Sequence, residues 1–95
     1  MELEFSGEII WWRGPAPFHF VRVPPEESAQ IEAAKELLTY GWGVIPVTAQ
    51  VGQTEFTTSL FPKDGRFLVP LKDRVRSAES LELGDVVALR LTLDV

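Results

Sequence analysis

Residues 65–95 read GRFLVPLKDRVRSAESLELGDVVALRLTLDV. An apolar segment at 66–71 is followed by a charged segment at 72–80, which predicts a short helical turn, and then by the turn residues Gly84 and Asp85. Residues 86–95 place a large apolar residue at every second position from 87 to 93, which predicts a half-buried strand. The apolar face of this strand consists of Val87, Leu89, Leu91 and Leu93. The order of strand, helical turn, Gly-Asp and strand is typical of a barrel-forming unit.

The segments upstream of this stretch also have strand character. Strands are predicted at 2–13, 18–23, 44–51 and 53–61. Turn residues separate the strands, at 14–17, at Gly52 and at 62–65. The first two strands should therefore form a hairpin, and the three strands between 44 and 71 a meander. Pro46 lacks an amide donor, which places it at an edge or a bulge of its strand.

One helix is expected between the second and third strands. It begins with the proline and acidic residues at 25–28 and ends at Gly41. Its apolar stripe consists of Ile31, Ala34, Leu37 and Leu38. About six strands in 95 residues cannot close two full sheets, so we predict a mainly β fold. We expect a single β-barrel domain over 1–95, closed or partly open, with this amphipathic helix and a short helical turn before the last strand.

The composition narrows the class of protein. The chain has 95 residues, a formal net charge of −5 and no cysteine. Affinity for nucleic-acid phosphates comes mainly from Lys and Arg, so the acidic balance argues against nucleic acid as a partner. Without cysteine there is no disulfide, no thiolate zinc site and no cysteine nucleophile. No basic leader and no long apolar run occur, so we expect a cytoplasmic protein that does not enter a membrane.

Charge is spread unevenly along the chain. In the first half the glutamates outnumber Lys35; they are Glu26, Glu27, Glu32 and Glu36. In the second half the cations outnumber Asp64 and Asp73; they are Lys63, Arg66, Lys72, Arg74 and Arg76. The fold is therefore expected to have an acidic side and a basic side.

Three of these cations are candidates for binding a small anion: Lys72, Arg74 and Arg76. Arg76 would present its planar guanidinium to a carboxylate or a phosphate. The alternative is that Arg76 pairs with Asp85 or Glu82 and that the other two cations are solvated surface charges.

Aromatic residues are the second kind of candidate. Trp12 adjoins the turn at Gly14, and Trp42 lies between two glycines. Exposed tryptophans of this kind mark a ligand or partner site, so both are expected to line a cleft. The alternative is packing inside the barrel, which is expected for Trp11, Phe20 and Phe56.

The remaining polar residues are assigned structural roles. Gly84 is expected to adopt a positive φ and Asp85 to bond backbone amides in the turn; the alternative is Asp85 as a general base. His19 is the single histidine, and it is expected to be structural or on the surface, because metal sites need several ligands and nucleophilic catalysis needs a paired hydroxyl. Strand propensity accounts for Ser59 and for the threonines Thr54, Thr57 and Thr58. No metal site and no cofactor loop are predicted.

Several motifs together resemble a known family. They are Thr58-Ser59-Leu60-Phe61-Pro62, Gly65, Phe67-Leu68-Val69-Pro70-Leu71, Val75-Arg76 and Leu83-Gly84-Asp85-Val86-Val87. The chain resembles, over essentially its whole length, the bacterial family of domain of unknown function nineteen-oh-five (DUF1905). The resemblance implies a small β-barrel with a helix between the second and third strands, found alone or beside a domain of the bacteriocin-protection type, and it implies no activity.

Two positions relate this chain to the family in opposite ways. The resemblance implies that Arg76 matches a family arginine, whereas Asp73 stands where the family often has a lysine. The order of strand, helical turn, Gly-Asp and strand also resembles the half-barrel unit of swapped-hairpin transcription regulators.

These observations predict a non-enzymatic binding or accessory domain for a small anionic ligand or a protein partner. Its expected contacts are Trp12, Trp42, Lys72, Arg74 and Arg76, and no cofactor is expected. A dimeric DNA-binding regulator of the swapped-hairpin type is the first alternative. An enzyme that uses His19 or Asp85 as its base is the second. The apolar last strand would also favour a homodimer by strand pairing if its edge were open.

Overall fold

The computed structural model of the chain describes residues 1–14, 16, 18–38 and 45–94. The elements in these residues are β1 (Glu2–Trp11), β2 (His19–Arg22), α1 (Pro25–Leu38), β3 (Ile45–Val51), β4 (Thr54–Lys63), β5 (Arg66–Pro70), α2 (Asp73–Ala78) and β6 (Val86–Thr92). The predicted helix between the second and third strands is confirmed, and so is the short helical turn before the last strand. The predicted helix end at Gly41, the strand start at residue 44 and the strand end at residue 95 lie outside the described residues.

The strands form a closed barrel in the order β1-β2-β5-β4-β3-β6, and every pair is antiparallel. This confirms the mainly β fold, the first hairpin and the meander of β3, β4 and β5. Pro46 pairs with Ser59 of β4 but lies outside residues 48–51, which pair with β6. Its missing amide donor is therefore at an edge of the ladder, as predicted.

Closure of the barrel depends on β1 and β4, each of which pairs in two places. Residues 2–8 of β1 pair with β6, whereas residues 9–11 pair with β2. Residues 54–60 of β4 pair with β3, whereas residues 61–63 pair with β5. We call the half that contains β6 and β3 the large sheet, and the half that contains β2 and β5 the small sheet. The two long strands join these halves at opposite corners.

The last strand is paired on both sides. Leu91, for example, faces Leu3 of β1 and Ala49 of β3. The predicted apolar face of this strand is confirmed, because Val87, Leu89, Leu91 and Leu93 are all buried. The open edge that would have favoured a homodimer is not found along these pairs, so the homodimer stays a prediction without that support.

Helix α1 packs against the barrel through a buried hydroxyl. The Ser28 hydroxyl donates to the carbonyl of Val23 at 3.2 Å and accepts from the amide of Phe67 at 3.3 Å. The Val23 carbonyl also accepts from Nε of Arg66 at 2.9 Å. Ile31, one turn further along the helix, is completely buried in the core. One polar group and one apolar group therefore hold α1 against β5 and against Val23, the residue that follows β2.

The apolar stripe predicted for α1 is partly wrong. Ile31 is buried and Ala34 half-buried, but Leu37 is 78% exposed. Six residues advance an α-helix by about 600°, which puts Leu37 about 120° away from Ile31. The side chain of Leu38 lies outside the described part. None of the described helices is long and apolar enough to cross a membrane.

Trp11 is also wrong as a core residue, whereas Phe20 and Phe56 are buried as predicted. Trp11 is 52% exposed although it lies on the same face of β1 as the buried Ile9. Its partner is His19, the first residue of β2, so Trp11 lies at the end of the paired hairpin. Strand alternation places Trp11 on the same face as Ile9, as predicted, but the core ends before it reaches Trp11.

We predict that Gly7→Ala destabilises the barrel, because Gly7 lies just before the point where β1 changes partners. A Cβ there would lie 2.7 Å from Cγ1 of the fully buried Val21 and 3.3 Å from the carbonyl oxygen of Arg22. Crowding of this kind costs about 1–3 kcal/mol, although alanine is otherwise favoured over glycine in a strand by roughly 0.5–1 kcal/mol.

Urea unfolding measures this change, with the exposed neighbour Ser6→Ala as the control, for which we expect a change within about 0.5 kcal/mol. A Gly7→Ala protein that is as stable as wild type would show that the close approach of β1 and β2 is not a constraint.

Candidate functional site

The outer faces of the two sheets differ in charge. Directly paired residues of neighbouring strands share a face, and the outer face of the large sheet carries Glu2, Glu4, Glu8 and Glu55 with the single cation Arg90. Arg90 is already paired, since its Nη2 lies 2.8 Å from Oε1 of Glu4. This face is therefore acidic, and its described cation is neutralised.

The outer face of the small sheet is apolar and cationic. Phe20 lies between Ile10 and Pro70 in one row of paired residues. The next row consists of Arg22, Leu68 and Phe61, and it is followed by Lys63 with Arg66. Phe20 and Leu68 are buried although they face outward, and neither belongs to the main core cluster. No carboxylate occupies a paired outer position of these strands. Charge is therefore separated between the two sheets, although the glutamates on which the sequence prediction rested lie on α1 and not on the large sheet.

Trp12 is held rigidly on this face. Its ring centroid lies 5.5 Å from that of Phe20 at an interplanar angle of 53°, and the ammonium of Lys63 lies 4.7 Å from the centre of its ring. The turn approaches the ring so closely that a Cβ on Gly14 would lie 2.5 Å from it. Trp12 is therefore packed on several sides. The ammonium of Lys63 also lies 3.3 Å from Oδ2 of Asp64.

An open groove of about 520 Å³ crosses the outer face of β4, and we call it the outer groove. Its described lining is Ala16, Pro46, Thr57, Thr58, Ser59, Phe61, Pro70 and Lys72. The groove lies at the corner where β4 leaves β3 and joins β5. Apolar residues and hydroxyls line it together, with one cation at its end. This volume is within the usual range for small-molecule sites, about 300–1,000 Å³.

Lys72 distinguishes this groove from a second one on the acidic face. The ammonium of Lys72 makes no ion pair with any described residue, and the hydroxyls of Thr57, Thr58 and Ser59 make no hydrogen bond with one. The second groove, of about 500 Å³, is lined by Glu4 and Arg90, whose charges cancel. An anion in the second groove would have to displace Glu4 from Arg90. In the outer groove, Lys72 has no ion pair with a described residue that would have to be broken.

Arg76 is held by its own helix. Its Nε donates to the carbonyl of Leu71 at 3.2 Å, and its Nη2 forms an ion pair with Asp73. The expected alternative pairing with Asp85 or Glu82 is wrong, because Asp73 lies one helical turn away on α2. Among the predicted contacts, the structure brings Lys72 and Trp12 to the basic face.

The other predicted contacts do not join that set. Arg74 is exposed on α2 and does not line the outer groove, and Arg76 does not line it either. Trp42 lies outside the described residues. The Thr57–Ser59 hydroxyls were assigned to strand propensity, yet a signal was available: Thr57, Ser59, Phe61 and Lys63 alternate on one face of β4.

The Gly84-Asp85 turn closes the loop before β6. Gly84 has a φ of 91°, and its amide donates to the carbonyl of Ile9 at 2.9 Å. Oδ2 of Asp85 accepts from the amide of Glu82 at 2.8 Å. Both residues therefore shape the turn and attach it to β1.

The chain matches the family described as Domain of unknown function (DUF1905) over residues 5–91, so it belongs to that family. No curated protein matches the chain.

We predict that Arg76 stabilises the fold and that Arg74, on the same helix, does not. The Arg76 side chain is 19% exposed and bonds a backbone carbonyl, and hydrogen bonds to charged groups contribute about 1.5–3 kcal/mol. Because its partner Asp73 is 88% exposed, we expect Arg76→Ala to lower the free energy of unfolding by about 1–2 kcal/mol.

Arg74→Ala is the matched control, and we expect it to change the free energy of unfolding by less than about 0.5 kcal/mol. Asp73→Ala separates the two contacts of Arg76, since it removes the ion pair and leaves the carbonyl. Equal effects of Arg76→Ala and Arg74→Ala in urea unfolding would contradict the structural role of Arg76.

Proposed function

We propose that the chain is a non-enzymatic binding domain that holds a small anionic ligand in the outer groove. The observation that supports this most directly is the position of Lys72. Its ammonium has no ion-pair partner among the described residues, and Lys72 lines a groove that also presents the hydroxyls of Thr57 and Ser59. A cation beside free hydroxyls is a set of donors that suits an anion.

The surrounding face adds to this preference. Lys63 lies two residues after the groove residue Phe61 and points to the same outer face. Trp12 holds Lys63 in place and presents apolar surface beside it. Trp12 thus contributes by positioning, and Arg74 is a further exposed cation on α2. The acidic residues of the large sheet lie on the other outer face, where Arg90 partly neutralises them.

The chemistry of the lining favours binding over catalysis. Its described residues offer hydroxyls and an ammonium but no imidazole, thiol or carboxylate. A hydroxyl nucleophile needs an adjacent base to become reactive. The groove therefore lacks, in its described part, a group to activate Ser59 or the threonines. The lack of cysteine in the whole sequence supports a cytoplasmic location.

The test is thermal unfolding of the purified domain against a panel of anionic metabolites and nucleotides, followed by tryptophan fluorescence. A ligand at ten times its Kd stabilises the folded state by about 1.4 kcal/mol, which is roughly 6–11 °C in a domain of this size. We expect a saturable rise in the midpoint with at least one anion. Lys72→Met should abolish the rise, because it keeps the length of the side chain and removes its charge.

Lys35→Met is the matched control, since Lys35 is an exposed lysine on α1, away from the outer groove. Its hydrogen bond and ion pair with Glu32 raise its pKa. The proposal fails if no anion shifts the midpoint, or if the shift persists in Lys72→Met.

A protein partner, including a second copy of the chain, is the second candidate. The rings of Trp11 and Phe18 lie 6.3 Å apart, and both side chains are exposed at the end of the first hairpin. Exposed aromatic pairs favour association. A homodimer through this pair predicts a light-scattering mass of twice 10.7 kDa, which returns to the monomer mass in Trp11→Ser. A wild-type mass of 10.7 kDa contradicts the homodimer.

A further inference from the structure

The polar groups of the outer groove point to one class of anion. They are the ammonium of Lys72 and the hydroxyls of Thr57 and Ser59, and no guanidinium is among the described lining residues. A carboxylate is matched best by the planar fork of arginine, whereas lysine acts as a point charge and commonly binds phosphate. The arginine that the sequence offered for a carboxylate, Arg76, bonds Asp73 and Leu71 instead.

The hydroxyls strengthen this distinction. Thr57 and Ser59 project from the same outer face of β4, whereas Thr58 pairs with the buried Val47 and faces the barrel interior, so two hydroxyls accompany the ammonium. A phosphate group carries about −1.5 to −2 charge at pH 7 and accepts through three oxygens that do not lie in one plane. A carboxylate has two coplanar oxygens and a single charge, so it uses fewer of these donors.

The apolar residues indicate that the ligand is more than inorganic phosphate. Phe61 is half-buried and lines the groove, and Pro46, Pro70 and Ala16 complete its described apolar lining. A free phosphate ion would leave this surface in contact with water. An aromatic or aliphatic body attached to the phosphate would cover it and remove apolar area from water.

We infer that the outer groove takes a phosphate monoester with an apolar or aromatic body. This rests on the proposed function and names its ligand class. The phosphate lies between Lys72 and the hydroxyls of β4, and the body lies along Phe61 toward Pro46 and Pro70. Lys63 adds positive potential from the same face without forming part of the described lining.

The experiment titrates four probes into the ¹⁵N-labelled domain and follows amide chemical shifts. The probes are phenyl phosphate, benzoate, phenol and inorganic phosphate. We expect saturable shifts at residues 57–61 and at Lys72 with phenyl phosphate. We expect benzoate and inorganic phosphate to bind at least tenfold more weakly, and phenol not to produce these shifts.

Two variants locate the donors. Lys72→Met should weaken phenyl phosphate at least tenfold. Thr57→Val removes one hydroxyl, keeps the shape and β propensity of the side chain, and should weaken phenyl phosphate about threefold. Thr92→Val is the matched control, because Thr92 is a strand residue on the outer face of the large sheet and away from this groove; it should leave binding unchanged. The variants are compared only if their amide spectra show that they are folded to the same extent as the wild type.

The outcomes separate the two proposals. Benzoate binding as tightly as phenyl phosphate, with both lost in Lys72→Met, overturns the phosphate class and leaves the anion-binding function standing. Inorganic phosphate binding as tightly as phenyl phosphate overturns the apolar body. No shift at residues 57–61 with any of these anions, together with a flat thermal panel, overturns the function as well as the ligand class.

Discussion

Two ten-residue strands, β1 and β4, carry the constraint on which the rest of the molecule depends. Each pairs with one neighbour over its first seven paired residues or so and with another over its last three. A strand can do this only if it turns the corner between two sheets, and a small barrel closes only if such corners exist. Gly7 lets Val21 approach one corner, and the partner change between Leu60 and Phe61 marks the other.

The corners also produce the asymmetry of the surface. Because side chains alternate along a strand, each corner carries one row of residues from the outer face of one sheet to that of the other. On β4 this row runs from Thr57 through Ser59 and Phe61 to Lys63, so hydroxyl, aromatic and cationic groups follow one another. The outer groove lies along this row. Its mixed lining is therefore a result of barrel closure.

Alternation and turn chemistry made most of the fold predictable from the sequence. The strict pattern of β6 and the Gly-Asp turn before it predicted the last strand and its buried face, and the hairpin and meander followed from the turn residues. Trp11 was misassigned because strand alternation says which way a side chain points and not how far the core extends. Leu37 was misassigned because it lies about 120° around the helix from the buried Ile31. The candidate site was less predictable. Residue type identified Lys72 and Trp12, but only the course of β4 around the corner of the barrel shows that Thr57 and Ser59 lie in the same groove as Lys72.

The position of Lys72 is fixed by its own backbone and by the residue before it, and not by its side chain. Its carbonyl accepts the amides of Val75 and Arg76 at the start of α2, at 3.0 and 3.1 Å. The residue before it, Leu71, is buried, and its carbonyl accepts a hydrogen bond from Nε of Arg76. The backbone on both sides of Lys72 is thus held, while its ammonium remains without an ion-pair partner among the described residues. A net charge of −5 does not oppose an anion there, because charges more than about 8 Å apart are largely screened at physiological ionic strength, and the nearby outer face presents cations. Arg76, which the sequence suggested as a ligand contact, instead bonds the backbone next to Lys72.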